Sequence, residues 1–281
     1  MTIWQAACIA VLQGLTELFP VSSLGHAVLL PALLGWNIDE KAITFLPFLV
    51  FLHAGTAAAL LLFFWQDWYV LLNGASGRGE KHYVKESRHI LLLIVVATIP
   101  AVVIGALLEK FLRTLFGTPS MAAFFLVVNG TVLLLGERLR RRTTVVAVPT
   151  IAALRLRDAF MIGCWQCLAF LPGISRSGTT MIGGLLRGLD HEGAARFSFL
   201  IALPIIAAAT LHQTVSLLHA HVMLQELRLN LLGAFLAFVA AFASTAFLMR
   251  YFRGHDRWAL APFAFYSITV GIVGLALLVA V

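Results

Sequence analysis

Apolar residues fall in blocks along this chain, at about 1–18, 24–36, 43–65, 89–108, 121–137, 159–171, 179–189, 194–211, 229–249 and 259–281. A helix needs about 20 apolar residues to cross a bilayer. The blocks 43–65, 89–108, 121–137, 194–211, 229–249 and 259–281 come near that length and predict six transmembrane helices. The blocks 24–36, 159–171 and 179–189 are too short, and 1–18 runs straight into Pro20. Polar sequence separates these short blocks in two places. One reads Glu17-Leu-Phe-Pro-Val-Ser-Ser-Leu-Gly-His26, the other Leu171-Pro-Gly-Ile-Ser-Arg-Ser-Gly-Thr-Thr180. Each break predicts a re-entrant helical hairpin that turns at 20–25 or at 172–178 and leaves on the side it entered. Non-helical backbone at membrane depth survives only where protein or a water-filled cavity satisfies it. Ionisable groups placed there are candidates for function.

Composition agrees with the pattern. Hydrophobic residues make up 60% of the chain and charged residues 12%. Soluble domains carry roughly 25% charge, so the fold class is an all-α polytopic membrane protein. Its 281 residues suffice for one integral membrane domain and leave no room for a soluble one. The first twelve residues hold no Lys or Arg, so a secretory signal peptide is not expected. Cys8, Cys164 and Cys167 lie in apolar blocks, which argues against a disulfide framework. Cys164-Trp-Gln-Cys167 has redox spacing without a thioredoxin-like context and reads as packing.

The net charge of +7 is explained by where the cations fall. Alternating the spans puts loops 66–88, 138–158, 187–196 and 250–257 on one side. These loops hold 15 of the 20 Lys and Arg, the other side holds Lys41, Lys110, Arg113 and Arg228, and Arg176 sits in a hairpin tip. The basic side is then cytoplasmic, both termini face outward, and nucleic-acid binding is disfavoured. Trp65, Trp68 and Tyr69 would lie in the cytoplasmic interfacial belt. The two hairpins enter from opposite sides. A shift of 153 pairs Gln13 with Gln166, Ser22 with Ser175, Gly25 with Gly178 and Gly35 with Gly188. That suggests an inverted repeat of about 1–140 and 155–281, an architecture transporters also use.

If the tips meet, they bring Glu17, Ser22, Ser23 and His26 against Ser175, Arg176, Ser177, Thr179 and Thr180. One guanidinium, several hydroxyls and helix N-termini suit phosphate or diphosphate. A carboxylate beside phosphate is unfavourable unless a metal or proton intervenes. Glu17, with Gln13 four residues earlier on the same face, therefore reads as a ligand for a divalent cation (Mg2+ or Ca2+) or as an acid–base group. Ser23 and His26 are spaced like a nucleophile and its base. The plainer alternatives are N-caps for Ser22 and Ser175, a buried ion pair for Glu17 with Arg176, and a carbonyl-bonded ring for His53. The spacing of His212, His219 and His221 could bind a metal, but a solvated interfacial stretch is the better reading.

These two stretches resemble the signature motifs of the bacterial undecaprenyl-diphosphate phosphatases of the BacA/UppP type. The first motif has the form (Glu/Gln)xxxGlu followed by Pro-Val-Ser-Ser-x-Gly-His, the second Pro-Gly-x-Ser-Arg-Ser-x-x-Thr. The resemblance implies an inner-membrane hydrolase that converts undecaprenyl diphosphate to undecaprenyl phosphate and inorganic phosphate. That reaction recycles the carrier lipid of peptidoglycan synthesis and confers bacitracin resistance. It also implies a divalent cation and a homodimer. Carried over by position, Gln13 and Glu17 hold the cation, Ser23 and His26 supply hydroxyl and imidazole, and Ser22, Ser175, Arg176, Ser177 and Thr180 bind phosphate. Gln13 stands where many members have Glu, and Leu24 replaces a small polar residue. The mechanism expected is attack by Ser23 with His26 moving its proton, or attack by His26 itself. A polyprenyl-phosphate flippase is the alternative that the inverted hairpins would also suit. A lipid phosphatase of the Ser-x-Gly-His type lacks its other elements here.

Overall fold

The computed structural model describes residues 1–36, 38, 45–115, 118–142, 150–219 and 227–280, without the side chains at 109–115, 142, 216–219 and 280. The side chains of His219 and His221 therefore lie outside the described residues. The elements are α1 (Ile3–Leu18), α2 (Ser23–Leu33), α3 (Phe45–Phe63), α4 (Trp65–Ala75), α5 (Lys81–Leu115), α6 (Pro119–Arg142), α7 (Leu156–Gln166), α8 (Arg176–Leu185), α9 (His191–His219), α10 (Leu227–Gly254) and α11 (Ala261–Ala280). Short 3-10 turns precede and follow α7. Among the described residues six helices are long and apolar enough to cross a membrane, namely α3, α5, α6, α9, α10 and α11. They coincide with the six blocks read as spans. The protein is a multi-pass membrane protein.

Two differences from the block pattern have physical causes. The apolar pattern makes 66–88 a loop, yet α4 occupies its first half, starting from Trp65. Leu71 and Gly74 turn inward on this helix while Trp65, Tyr69 and Leu72 stay exposed, as in a helix lying in a membrane interface. Helix α5 runs 35 residues, about 52 Å, well beyond the apolar stretch at its centre. Its polar first turns pack on α4, where the Tyr83 hydroxyl donates to the Val70 carbonyl at 2.5 Å.

The basic loops gather at one end of the bundle. Arg196 of α9 pairs with Asp67 of α4. Arg140 of α6 pairs with Asp256 at 2.8 Å, and Arg253 of α10 with Glu192 at 3.2 Å. Arg187 and Asp158 approach to 3.8 Å, joining the exit of the second hairpin to its entrance. At the centre of this end is His191, whose Nε2 lies 2.8 Å from Glu137 and whose Nδ1 lies 3.0 Å from Asp256. Burial alone would push the Asp256 carboxyl up. The hydrogen bonds from His191 and Arg140 outweigh that and hold it below its ordinary range. In the first hairpin, Trp36 and Ile38 beyond α2 pack on a cluster that includes Ala6 and Ile9 near the start of α1.

Helix partners exchange in a two-fold pattern. Helix α1 packs on α10 as α7 packs on α5, α3 on α10 as α9 on α5, and α2 on α11 as α8 on α6. Helices α6 with α11, and α3 with α9, pair across the centre.

The hairpin tips meet inside this frame. Pro20 and Pro172 deny a continuous helix, so backbone groups are freed at depth. Gly25 abuts Gly173: a Cβ on Gly25 would sit 3.0 Å from the Gly173 Cα. Gly173 itself has φ +110°, and a Cβ there would meet the Ala122 carbonyl at 2.5 Å. Asn129 of α6 ties the tips together. Its Nδ2 donates to the Pro20 carbonyl at 3.0 Å and to Ser267 Oγ at 3.2 Å, while its Oδ1 accepts from the Ser175 amide at 2.9 Å. Ser177 Oγ completes the link by donating to the Phe19 carbonyl at 3.0 Å. Asn129→Ala orphans a buried carbonyl and a buried amide, each worth about 1–3 kcal/mol. A drop in unfolding free energy of about 2–5 kcal/mol is expected in detergent. An unchanged denaturation midpoint would show that Asn129 does not hold the tips.

Candidate functional site

A cavity of about 240 Å³ lies where the tips converge, walled by Glu17, Ser22, Ser23, Ser175 and Arg176 together with His53, Gln166 and apolar residues of α5 and α9. Glu17 ends α1 one turn before the break and is the single carboxylate in that wall. Its Oε1 lies 3.3 Å from Arg176 Nη2. Its Oε2 accepts from Ser23 Oγ at 2.6 Å and from Gln13 Nε2 at 3.1 Å. The ion pair joins two residues 159 positions apart and is nearly buried, with side chains 10% and 14% exposed. The pairing of Glu17 with Arg176, the plainer alternative for these two residues, is thus present in the wall of a cavity.

The serines divide their work. Ser22 and Ser175 are both N-caps, accepting from the Gly25 and Gly178 amides at 3.2 Å each. Both also line the cavity. Ser22 takes φ +70°, a left-handed conformation that costs a non-glycine residue about 1–2 kcal/mol. The conformation turns the chain sharply so that Ser23 faces Glu17. Ser177 and Thr180 are fully buried and are not part of the cavity wall. Ser177 bonds the first tip, and Thr180 Oγ1 meets the Arg176 carbonyl at 2.8 Å and Ser198 Oγ at 2.6 Å. Thr179 Oγ1 likewise donates to the Ser175 carbonyl at 3.0 Å.

His26 and Ser23 are not hydrogen-bonded to each other. His26 Nδ1 lies 2.7 Å from the Ser22 carbonyl, which can only accept, so Nδ1 carries the proton. In the neutral ring, Nε2 is left to accept from the Tyr266 hydroxyl at 2.9 Å, and the two rings stack within 8°. His26 is buried and outside the cavity wall. The spacing of three puts both residues on one helical face, but Ser23 points across to α1 while His26 turns back on the turn that precedes it.

Two residues at the site, Asn129 and Tyr266, escaped the sequence reading. Asn129 is one polar residue in the block 121–137, and its polarity at membrane depth was the available signal. Tyr266 carries no such signal. His53 bonds the Leu49 carbonyl at 2.9 Å, as the structural alternative required. Its Nε2 also faces Gln13 Nε2 at 3.3 Å, so one Gln amide bridges His53 and Glu17.

No three His, Cys, Asp or Glu side chains cluster as a metal site among the described residues. Glu17, helped by the Gln13 and Ser23 oxygens, would give a cation one charged ligand only, with substrate oxygens and water completing the shell. Mg2+ tolerates that arrangement, since it keeps waters and binds through one or two carboxylates plus phosphate. It suits Ca2+ less, because Ca2+ takes 6–8 oxygens. Beside the cavity runs a second one of about 400 Å³, lined by Leu24, Val28, Phe45, Leu46 and Leu49 and sharing Ser23 and His53 with the first.

Comparison with known proteins points the same way. The family model described as "Bacitracin resistance protein BacA" matches residues 6–273. Undecaprenyl-diphosphatase of Granulibacter bethesdensis is 57% identical over 285 residues, covering 98% of this chain and 97% of that protein. The undecaprenyl-diphosphatase of Gluconacetobacter diazotrophicus is 57% identical across 99% of this chain and 98% of its own length. That of Acidiphilium cryptum is 55% identical across 99% of both. With two motifs in register and relatives matched end to end, the chain belongs to the BacA family.

Proposed function

We propose that this protein hydrolyses undecaprenyl diphosphate to undecaprenyl phosphate and inorganic phosphate. The observation that carries the reading is the convergence of Glu17, Ser23 and Arg176 in one buried cavity between two broken helices. A cavity of about 240 Å³ has room for roughly eight waters, enough for a headgroup and far too little for a prenyl chain. The adjoining apolar cavity offers the first isoprene units a path away from the headgroup.

In the proposed reaction Arg176 turns from Glu17 to the terminal phosphoryl group and stabilises the charge on its oxygens. Ser22 and Ser175 lie beside it in the wall. Ser23 Oγ attacks the terminal phosphorus, and its proton passes to Glu17 Oε2, the acceptor it already touches. The bond from phosphorus to the bridging oxygen breaks, and undecaprenyl phosphate leaves. Water then attacks the phosphoserine, the serine oxygen recovers a proton, and inorganic phosphate is released. Glu17, rather than His26, takes the serine proton because both His26 nitrogens are engaged elsewhere. His26 then acts as a positioning residue that holds the Ser22 turn. Ser177 and Thr180, expected to touch phosphate, support the backbone of the second tip. A divalent cation, Mg2+ in preference to Ca2+, would be held by Glu17 with Gln13 and would offset phosphate charge when bound. Its donor set supports that reading, with the diphosphate supplying the remaining oxygens.

The site of action proposed is the bacterial inner membrane, with both termini outside. The 15 against 4 distribution of Lys and Arg supports this orientation. The homodimer comes from the family resemblance.

Four measurements test these readings. Arg176→Ala and Glu17→Ala are expected to lose about 100-fold or more in phosphate release while still inserting, and a chelator should abolish release. Near-parental rates in either variant would sink the mechanism. Rapid quenching should trap phosphate on Ser23, stable to acid; an acid-labile adduct would transfer the role to His26. In spheroplasts, with Cys8, Cys164 and Cys167 replaced by Ala, a membrane-impermeant thiol reagent should label Thr2→Cys and spare His255→Cys, and light scattering should give twice the 30.6 kDa chain mass. The reverse labelling overturns the orientation, and a single-chain mass overturns the dimer.

A further inference from the structure

The cavity wall holds more polar atoms than the two motifs supply. Gln166 ends α7, is 2% exposed, and lines the cavity with Glu17, Ser23 and Arg176. Neither its Oε1 nor its Nε2 has a hydrogen-bond partner, and the same holds for Arg176 Nη1. A buried amide without partners carries its full desolvation penalty, so such groups are matched by something else. Gln13, its counterpart under the shift of 153, shows the contrast. The Gln13 amide is committed to Glu17 at 3.1 Å and faces His53 at 3.3 Å. In the second half the position equivalent to Glu17 is Phe170, an apolar part of the cavity wall. Gln166 has no carboxylate to hold.

The orphaned atoms define their ligand. Arg176 Nη1 and Gln166 Nε2 present N–H donors, and Gln166 Oε1 presents one acceptor. A cation cannot satisfy the donors, and an apolar chain satisfies none of the three. A hydrated phosphate or diphosphate supplies both kinds of partner. We propose that Gln166 is a substrate-binding residue, whose Nε2 donates to a non-bridging oxygen of the diphosphate while Oε1 accepts from water bound with it. This rests on the phosphatase reading above and adds to the site a residue from outside both motifs.

The test compares the parent with Gln166→Met and Gln166→Glu, all as purified full chains. Three quantities are read: Tm without ligand, the rise in Tm with inorganic pyrophosphate, and KM for undecaprenyl diphosphate. Met fills the same space without the orphaned atoms, so Gln166→Met should melt at or above the parent temperature. Its KM should nevertheless rise about tenfold or more, the loss expected for one hydrogen bond to a charged group. Gln166→Glu should lose the pyrophosphate-induced rise through charge repulsion. A KM within about threefold of the parent in either variant overturns the inference, whatever happens to Tm. If Gln166→Met fails to fold, the near-isosteric Gln166→Glu decides alone. If the parent itself releases no phosphate, the phosphatase reading fails. The inference then stands or falls on whether pyrophosphate stabilises the parent and not the variants.

Discussion

Broken backbone inside a membrane has to find hydrogen-bond partners within the protein, and that constraint organises this molecule. At the first break the freed carbonyls of Phe19 and Pro20 accept from Ser177 and Asn129. At the second, the Ser175 amide donates to the same Asn129. Each tip is therefore satisfied by the other tip or by the helix between them. The two glycines at the contact, Gly25 and Gly173, let the backbones approach closely enough for this to happen. The cavity is what remains where the two turns do not fill the space.

The same meeting of tips creates the electrostatics of the site. Arg176 starts α8 and Glu17 lies near the end of α1, so each charge arrives at membrane depth on a different hairpin. Isolated in a bilayer, either would be strongly disfavoured. Together, at 3.3 Å, they compensate each other without closing the cavity. Arg176 keeps Nη1 without a protein partner and Glu17 keeps a serine hydroxyl on its other oxygen. The resting site is thus neutralised, yet holds both a donor and a proton acceptor in reserve.

Much of this was legible in the chain because the membrane imposes lengths. Blocks near 20 residues became spans, and shorter ones split by Pro20 and Pro172 became hairpins. Glu17, Ser23 and Arg176 were legible because charge and hydroxyls are conspicuous in oil. What stayed hidden depends on distance and direction. Asn129 reaches Pro20 across 109 residues, and His53 reaches Gln13 across 40. No local pattern encodes either contact. The spacing of Ser23 and His26 was read correctly as one face, but spacing does not say that the His26 ring turns back on the Ser22 carbonyl. Helix α4 was hidden because an interfacial helix carries exposed aromatics and only a narrow inward face, here Leu71 and Gly74, in a stretch too polar to count as a block.

The bond from Ser177 to the Phe19 carbonyl spans 158 residues, and this separation has a meaning for biosynthesis. At about 5–20 residues per second, a ribosome needs roughly 8–30 s to make the partner that the first hairpin awaits. Throughout that interval the Phe19 carbonyl lacks its Ser177 donor and the Glu17 carboxylate lacks its guanidinium. The nascent chain must therefore keep its first hairpin in a sheltered or shallow position at the insertion machinery, and seat it only once the second half has emerged.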